Sequence, residues 1–360
     1  MAFEDHGAGP RALMIRRSSR GFVPLTAILE LTHRCNERCI HCYVIQPSSA
    51  PQELSTDQWR DVLGQLASAG TIEVTFSGGE VFLRRDLFDI VEEARRLHFS
   101  IKLSTNATLV GMKEAQRLAE LKPWEVGVSL YGADHTVHDR VTTIPGSFER
   151  TVSGISRMVE TGTRVKIRSV LMRENLGQEE ALASLAERLG ASFAQDPLLT
   201  PRSDGSLDNL LHRLDPQQLR GALQADADRL FKEDHPEKWE AVRADKLQSY
   251  MCKAGINFCA IGPQGHVLPC VQFQQVAGTL PTQSFAEVWK SSPLFQRLRS
   301  TVNADVPRCR DCELAPLCFR CPGEAHLSDG DAFGPSSYAC ARAGILNELR
   351  EFRRACDKQE

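Results

Sequence analysis

The sequence has almost no charge imbalance, no long apolar run and no export signal. Its 43 Lys and Arg against 46 Asp and Glu leave a formal net charge of −3, so there is no electrostatic case for broad binding to nucleic acid or to a membrane surface. The N-terminus, Met-Ala-Phe-Glu-Asp-His-Gly, has neither the basic start nor the apolar core of a signal peptide. No apolar run approaches the ~18 residues that a membrane-spanning helix needs. The expectation is a cytoplasmic protein, in a compartment that keeps thiols reduced. Composition is otherwise ordinary for a globular chain, with 42% hydrophobic and 25% charged residues. At 360 residues there is room for one large domain with a small one, or for two.

A fourth cysteine near the first three is also lacking. Cys35-Asn-Glu-Arg-Cys39-Ile-His-Cys42-Tyr43 leaves an apolar run, Leu25-Thr-Ala-Ile-Leu-Glu-Leu-Thr, that reads as a strand. The next cysteine in the chain is Cys252. Three thiolates in C-x₃-C-x₂-C spacing suit a metal centre that keeps one position open, whereas a closed zinc site would draw its fourth ligand from His33 or His41. Twelve cysteines, mostly clustered, in a reducing compartment argue for metal and against disulfides.

From residue 24 to about 200, β-like runs alternate with amphipathic helical patterns, which predicts βα units and a parallel sheet. Strands are expected at 25–32, 72–77, 99–104, 125–131, 165–172 and 191–196. Ser55 opens one helix that Gly70 closes; Arg85-Asp86 opens another, with apolar positions Leu87, Ile90, Val91, Ala94 and Leu97; Ser147 caps a helix running to Gly162. Six such units fall short of the eight of a full TIM barrel. The expected organisation is a flexible arm over 1–23, a partial barrel over 24–214, a helical bridge over 215–249, a cysteine-rich domain over 250–345 and a C-terminal helix over 346–360.

In a barrel, chemistry gathers at the C-terminal ends of the strands. The cysteine loop falls there after strand one. Ser77-Gly78-Gly79-Glu80 follows strand two, with glycines that let a ligand approach the backbone and a carboxylate that can accept from an ammonium group. Ser104-Thr-Asn106-Ala107 follows strand three and Ser129-Leu-Tyr131-Gly132 strand four. The alternative for Ser104 and Ser129 is a strand-end hydroxyl serving the turn. His135, His138 and Asp139 read as a polar helix entry, and Arg202 and Asp204 either face substrate or form a simple turn.

The cysteine loop with the Gly-Gly-Glu segment resembles the radical S-adenosylmethionine (radical SAM) enzymes. The resemblance implies a partial (β/α)₆ TIM-like barrel. It implies a 4Fe–4S cluster on Cys35, Cys39 and Cys42, its fourth iron chelated by the amino and carboxylate groups of SAM. Gly78, Gly79 and Glu80 match the motif that holds the methionine amino group. Ser104, Asn106, Ser129, His41 and Tyr43 are carried over as cofactor contacts, with Arg140 or Arg168 as candidates for the SAM carboxylate. Ala107 stands where the family has Gly.

From Cys252 onward the pattern changes. Cys309-Arg-Asp-Cys312 and Cys318-Phe-Arg-Cys321 are two C-x₂-C pairs, on their own compatible with zinc knuckles. With Cys252, Gly265 and Cys270 before them and Cys340 after, they resemble the SPASM domain, with Cys318 and Cys321 one residue closer than in the family pattern. The resemblance implies two further 4Fe–4S clusters, three in all. An inner one would lie on Cys252, Cys259, Cys270 and Cys321, and an outer one on Cys309, Cys312, Cys318 and Cys340. Cys356 is left over.

SPASM-bearing enzymes mostly modify peptides or proteins, and the resemblance implies oxidative crosslinking, by a thioether or C–C bond, of a ribosomally made peptide. It further implies an electron donor such as flavodoxin or ferredoxin. With 34 residues ahead of Cys35, any leader-binding function is expected on a separate protein. Sulfatase maturation is disfavoured, since Val271 and Gln272 follow Cys270 where those enzymes place an Asp. A tetrapyrrole side chain is the alternative substrate, and a zinc or iron–sulfur scaffold without activity is the alternative of another class.

Overall fold

The computed structural model describes residues 9–46, 52–231 and 236–357. Six strands, β1 (Thr26–Thr32), β2 (Glu73–Gly78), β3 (Ser100–Thr105), β4 (Glu125–Ser129), β5 (Val165–Val170) and β6 (Ser192–Asp196), pair in parallel in chain order. They are the six expected strands, and the partial barrel they form is the expected fold class.

The strands hold their register through a two-residue alternation. Ala27, Leu29, Val74, Phe76, Ile101, Leu103, Val126, Val128, Val165 and Ile167 are buried toward the helices. The opposite face carries ion pairs between Lys102 and Glu73, 2.8 Å apart, and between Arg168 and Glu125. The helices covering the sheet are α2 (Thr56–Ser68), α3 (Leu87–Arg96), α4 (Met112–Leu121), α5 (His135–Thr142), α6 (Ser147–Glu160) and α7 (Glu179–Arg188), following α1 (Pro10–Gly21). Ser55 caps α2 in a reciprocal capping box with Gln58. At α6 the cap position is Gly146 rather than Ser147, and the capping oxygens are those of Asp139 in α5, which accept from the Gly146 and Phe148 N–H groups and the Ser147 hydroxyl.

Two features depart from the sequence reading. Residues 10–21 of the expected flexible arm form α1, with Pro10 at its first turn. Ala12 and Ser18 are buried, Asn257 donates to the Ser18 and Ser19 hydroxyls, and Trp289 donates to the Phe22 carbonyl. Four arginines along so short a segment masked the few apolar contacts that hold it.

The second departure is in the cysteine-rich half, which is continuous with the barrel sheet. β7 (Phe258–Ile261) pairs in parallel with β1, and β8 (His266–Leu268) and β9 (Gly278–Thr279) extend it antiparallel. Gly265 makes the β7–β8 turn at φ 85°, where an added Cβ would lie 2.2 Å from the Leu280 carbonyl oxygen. α8 (Pro216–Leu230) and α9 (Pro236–Gln248) occupy the expected bridge. α10 (Phe285–Ser291), α11 (Pro293–Ser300), α12 (Pro307–Arg310), α13 (Pro322–Asp329) and α14 (Ser337–Asp357) follow. Leu219, Leu223 and Phe231 pack against Leu346 and Leu349 in a second small core, so the bridge is clamped onto the C-terminal helix. Among the described residues no helix is long and apolar enough to cross a membrane.

Two helical glycines differ in what surrounds them. A Cβ on Gly154 would lie 2.3 Å from the Ala107 carbonyl oxygen, whereas one on Gly64 meets nothing within 4 Å. Gly154→Ala is therefore expected to destabilise by ~1–3 kcal/mol through overpacking, and Gly64→Ala to stabilise by ~0.5–1 kcal/mol through helix propensity. Urea denaturation of the two variants beside the parent protein checks both signs.

Candidate active site at the barrel mouth

The cysteine loop is held from four directions. Behind it, Gly79 N–H donates to the Thr32 carbonyl at 2.7 Å and Glu80 N–H to the Arg34 carbonyl at 2.9 Å. A Cβ on Gly78 would lie 2.2 Å from the Thr32 oxygen and one on Gly79 2.2 Å from the Arg34 oxygen. The two glycines are thus required by close packing of β2's end against the stem of the cysteine loop, in addition to any ligand. On one side, the Arg38 and Ile40 N–H groups donate to the Thr142 and Val141 carbonyls at the end of α5, satisfying acceptors that a helix C-terminus leaves open. On the other, Asn106 donates to the Asn36 side chain at 2.8 Å and points its amide at the Cys35 thiol, 3.9 Å away. From outside, the 200–212 loop donates to successive carbonyls of the cysteine loop: Arg202 to Cys42, Ser203 N–H to Tyr43 and Asn209 to His41.

Glu80 is fully buried, and its carboxylate accepts from Phe82 N–H at 3.1 Å, Thr105 Oγ1 at 2.7 Å and Asn106 N–H at 2.7 Å. Burial raises its pKa while these three donors pull it down. Its visible task is to lock the β3 loop beside the cysteines. Ala107 adopts φ 59° in that loop, the left-handed conformation that a Gly takes freely.

His41 is buried, its ring edge-on to Tyr131 with centroids 4.6 Å apart, and its Nδ1 has no partner. Desolvation holds it neutral, with a pKa pushed down to about 3. Tyr43 donates its hydroxyl to Glu30 at 2.7 Å. Ser104 pairs with Gly127 in the β3–β4 ladder and Ser129 with Arg168 in the β4–β5 ladder. Other candidates serve structure. Arg168 pairs with Glu125, Arg140 donates to the Glu174 carbonyl, His138 Nδ1 accepts from Tyr131 N–H, and Asp204 closes a turn on Ser206. Sequence reading missed Glu37, a buried carboxyl between Cys35 and Cys39 with an unpartnered Oε1. Nothing in its local pattern marked it.

All twelve cysteines are free thiols. Among the described residues no three His, Cys, Asp or Glu side chains converge on a single metal ion. Burial raises all three thiols, Cys35 to about 12 with Cys39 and Cys42 beside it, and the nearby carboxylates, Glu37 above all, add to it. Burial likewise raises Cys309, Cys318 and Cys340, on which Cys312 acts, and Cys270 and Cys321, on which Cys252 acts. Such thiols ionise only against a positive centre, so the three groups have the donor chemistry that iron–sulfur clusters fit. Cys318 and Cys321, two residues apart, fall in different groups. Cys259 stands apart. It is fully buried on β7 opposite Ala27, on the core side of the sheet, and burial alone raises its pKa, to about 12. No other thiol is among the groups that act on it.

The radical SAM superfamily profile matches residues 29–186, and the SPASM profile, an iron–sulfur cluster-binding domain, matches 252–313. An AdoMet-dependent heme synthase of Methanosarcina barkeri is 28% identical over 88% of this chain and 96% of its own. A PqqA peptide cyclase of Rhodopseudomonas palustris is 30% identical over 91% of this chain and 89% of its own. Among solved structures, Streptococcus suis SuiB bound to the precursor peptide SuiA shares the fold, with a TM-score of 0.70 and 18% identity over 94% of this chain and 83% of that one.

Two outcomes are expected. His138, which burial holds at a pKa of about 4, binds its proton only in the unfolded chain between about pH 4 and 6.5. It therefore removes stability as pH falls through that window, by up to about 3 kcal/mol. In His138→Gln the pH slope of denaturation midpoints should flatten there. Cys259→Ala should keep the iron content of the reconstituted protein, whereas Cys270→Ala should lower it.

Proposed function

We propose that this chain, which belongs to the radical SAM superfamily and carries its SPASM extension, oxidatively crosslinks a ribosomally made peptide. The observation that carries the reading is the convergence of two cysteine systems on one barrel mouth. β7 zips the C-terminal half onto β1, and Cys270 lies near enough to Tyr43 and to Glu30 for their charges to act on each other. A radical SAM domain works with a 4Fe–4S cluster and SAM. Held by Cys35, Cys39 and Cys42, these supply, when bound, the 5′-deoxyadenosyl radical that takes hydrogen from an unactivated C–H bond.

The chain's own residues orient and exclude. Gly78, Gly79 and Glu80 present backbone carbonyls and a locked β3 loop to the methionine end of SAM. Asn106 fixes the cysteine loop, and His41 with Tyr131 forms an apolar, neutral wall beside it. Ser104 and Ser129 offer hydroxyls on the lumen face. Two further clusters are assigned to Cys252, Cys270 and Cys321 and to Cys309, Cys312, Cys318 and Cys340. Bound there, they would offer a place for the electron that a substrate radical gives up when it closes a bond. A flavodoxin or ferredoxin supplies the reducing electron. The peptide reading is supported by the 30% relative named as a peptide cyclase. A tetrapyrrole substrate is the second reading, favoured by the heme synthase relative, 96% of whose length the chain matches.

The test is anaerobic co-expression with short peptides encoded beside the gene, recording peptide masses and 5′-deoxyadenosine. A peptide lighter by a pair of hydrogens, with deoxyadenosine formed and both lost in Cys35→Ala, is the expected result. Deoxyadenosine with all peptides unchanged and a tetrapyrrole altered in mass would transfer the assignment to the second reading.

A further inference from the structure

The loop between β6 and α8 is bonded to both cysteine systems. Over residues 199–213 it donates to three successive carbonyls of the first cysteine loop: Asn209 to His41 at 3.2 Å, Arg202 to Cys42 at 3.0 Å and Ser203 N–H to Tyr43 at 2.8 Å. Leu199 and Leu210 pack in one apolar cluster with Tyr131, Ile40 and Cys39. Within the loop Arg202 pairs with Asp208 at 2.7 Å, and the buried Asn209 also donates to the Thr200 carbonyl at 2.8 Å. The tip, Asp204-Gly205-Ser206, is exposed.

Arg213 closes this loop. Its Nε donates to the Leu199 carbonyl at 2.8 Å, which joins the two ends, and a terminal guanidinium nitrogen donates to Glu324 at 3.0 Å. The guanidinium also lies over the Tyr338 ring, 4.4 Å from its centroid, and the Tyr338 hydroxyl donates to the Pro197 carbonyl at 3.1 Å. The Arg213 carbonyl accepts from Arg173 Nε at 2.6 Å. Glu324 is 1% exposed. Its other oxygen accepts from the Ser336 hydroxyl at 2.7 Å, and its N–H points at the Cys321 thiol, 3.5 Å away. One side chain thus bolts the loop to α13 and α14, while the loop's far side grips the stretch from His41 to Tyr43. Surface loops are mobile unless anchored, and pinned ends let the middle of such a loop keep fixed hydrogen bonds.

We propose that Arg213 is a positioning residue for SAM: latched to Glu324, it makes the C-terminal half hold the 199–213 loop, and through it His41 to Tyr43, in the setting that binds SAM. This rests on the reading that a cluster on Cys35, Cys39 and Cys42 binds SAM, and not on the identity of the substrate. None of the bonds of Arg213 given above is to a cysteine, so its influence passes through the loop. The loop in turn meets the cysteine stretch at carbonyls. Loss of the latch therefore changes how that stretch is held without removing a thiol or the His41 ring.

The test compares amide hydrogen exchange and SAM binding in the anaerobically reconstituted full chain. In Arg213→Gln, with iron and sulfide as in the parent, peptides covering 200–206, which include the Ser203 N–H, should exchange faster, while β1 and β7 keep the parent's protection. The dissociation constant for SAM, read by equilibrium dialysis, should rise about tenfold, as when a supporting partner of a bound centre is removed. Unchanged exchange overturns the proposal. Faster exchange with unchanged SAM affinity makes Arg213 a structural latch alone and overturns it as well. Arg213→Lys keeps the charge but reaches one acceptor at a time, so it should move both readings the same way by less. If Arg213→Gln loses iron, Arg213→Lys decides. Both shifts at full iron support the proposal, while parent-like exchange, parent-like affinity or loss of iron there too overturns it. A parent chain that holds iron at the first cysteine loop and binds no SAM overturns the underlying reading and the proposal with it; a failure confined to the variants leaves that reading standing.

Discussion

The contact on which the site depends is backbone against backbone, where β2 ends beside the stem of the cysteine loop. Hydrogen bonds from Gly79 and Glu80 to Thr32 and Arg34 leave no room for a side chain at either glycine. Everything at the mouth is referred to that contact. It fixes where Cys35 begins, it aims Glu80 sideways into the β3 loop, and through Asn106 it returns to Asn36 and the Cys35 thiol. The chemistry-bearing loop is thereby anchored by groups whose bonds do not change with the charge of what it holds.

Electrostatics supplies the complementary demand. Each cysteine group is costly to ionise as it stands, because burial and neighbouring thiols oppose negative charge. The folded chain therefore stores a preference for positive centres at three places. Around the outer group Arg308, Lys246 and Arg320 act on the thiols, and Arg320 meets Cys321 of the inner group as well. Position along the chain and electrical environment are coupled here, since Cys318-Phe-Arg-Cys321 passes from one group to the other in a single turn of backbone.

Much of the barrel was legible because its signals are local. Alternation of apolar residues located the six strands, and Ser55 and Asp86 marked helix starts. The cysteine spacings singled out the loop after β1 and the C-terminal cysteine runs, because no tertiary information is needed to read a spacing. The misses required knowledge of partners far away in sequence. α1 is held by Asn257 and Trp289. The cap of α6 comes from Asp139. The double glycine, read as an opening for ligand, also packs against Thr32 and Arg34, which its sequence does not reveal. That Cys259, expected among the ligands of the inner group, lies on β7 beside Ala27 in the core is likewise invisible to spacing. Glu37 carries no pattern at all, and only burial distinguishes it.

The pairing of β7 with β1 bears on how such a chain diversifies. An extension joined by a linker can be exchanged without regard to what it is attached to. This one completes the hydrogen bonding of the barrel's first strand, residue against residue from Thr26–Phe258 to Leu29–Ile261. A replacement half must bring a strand of matching length and parity or leave β1 as a bare edge. The cysteine-rich half is thus inherited in register with the barrel, and new substrates are reached by altering loops and lining rather than by trading the half as a module.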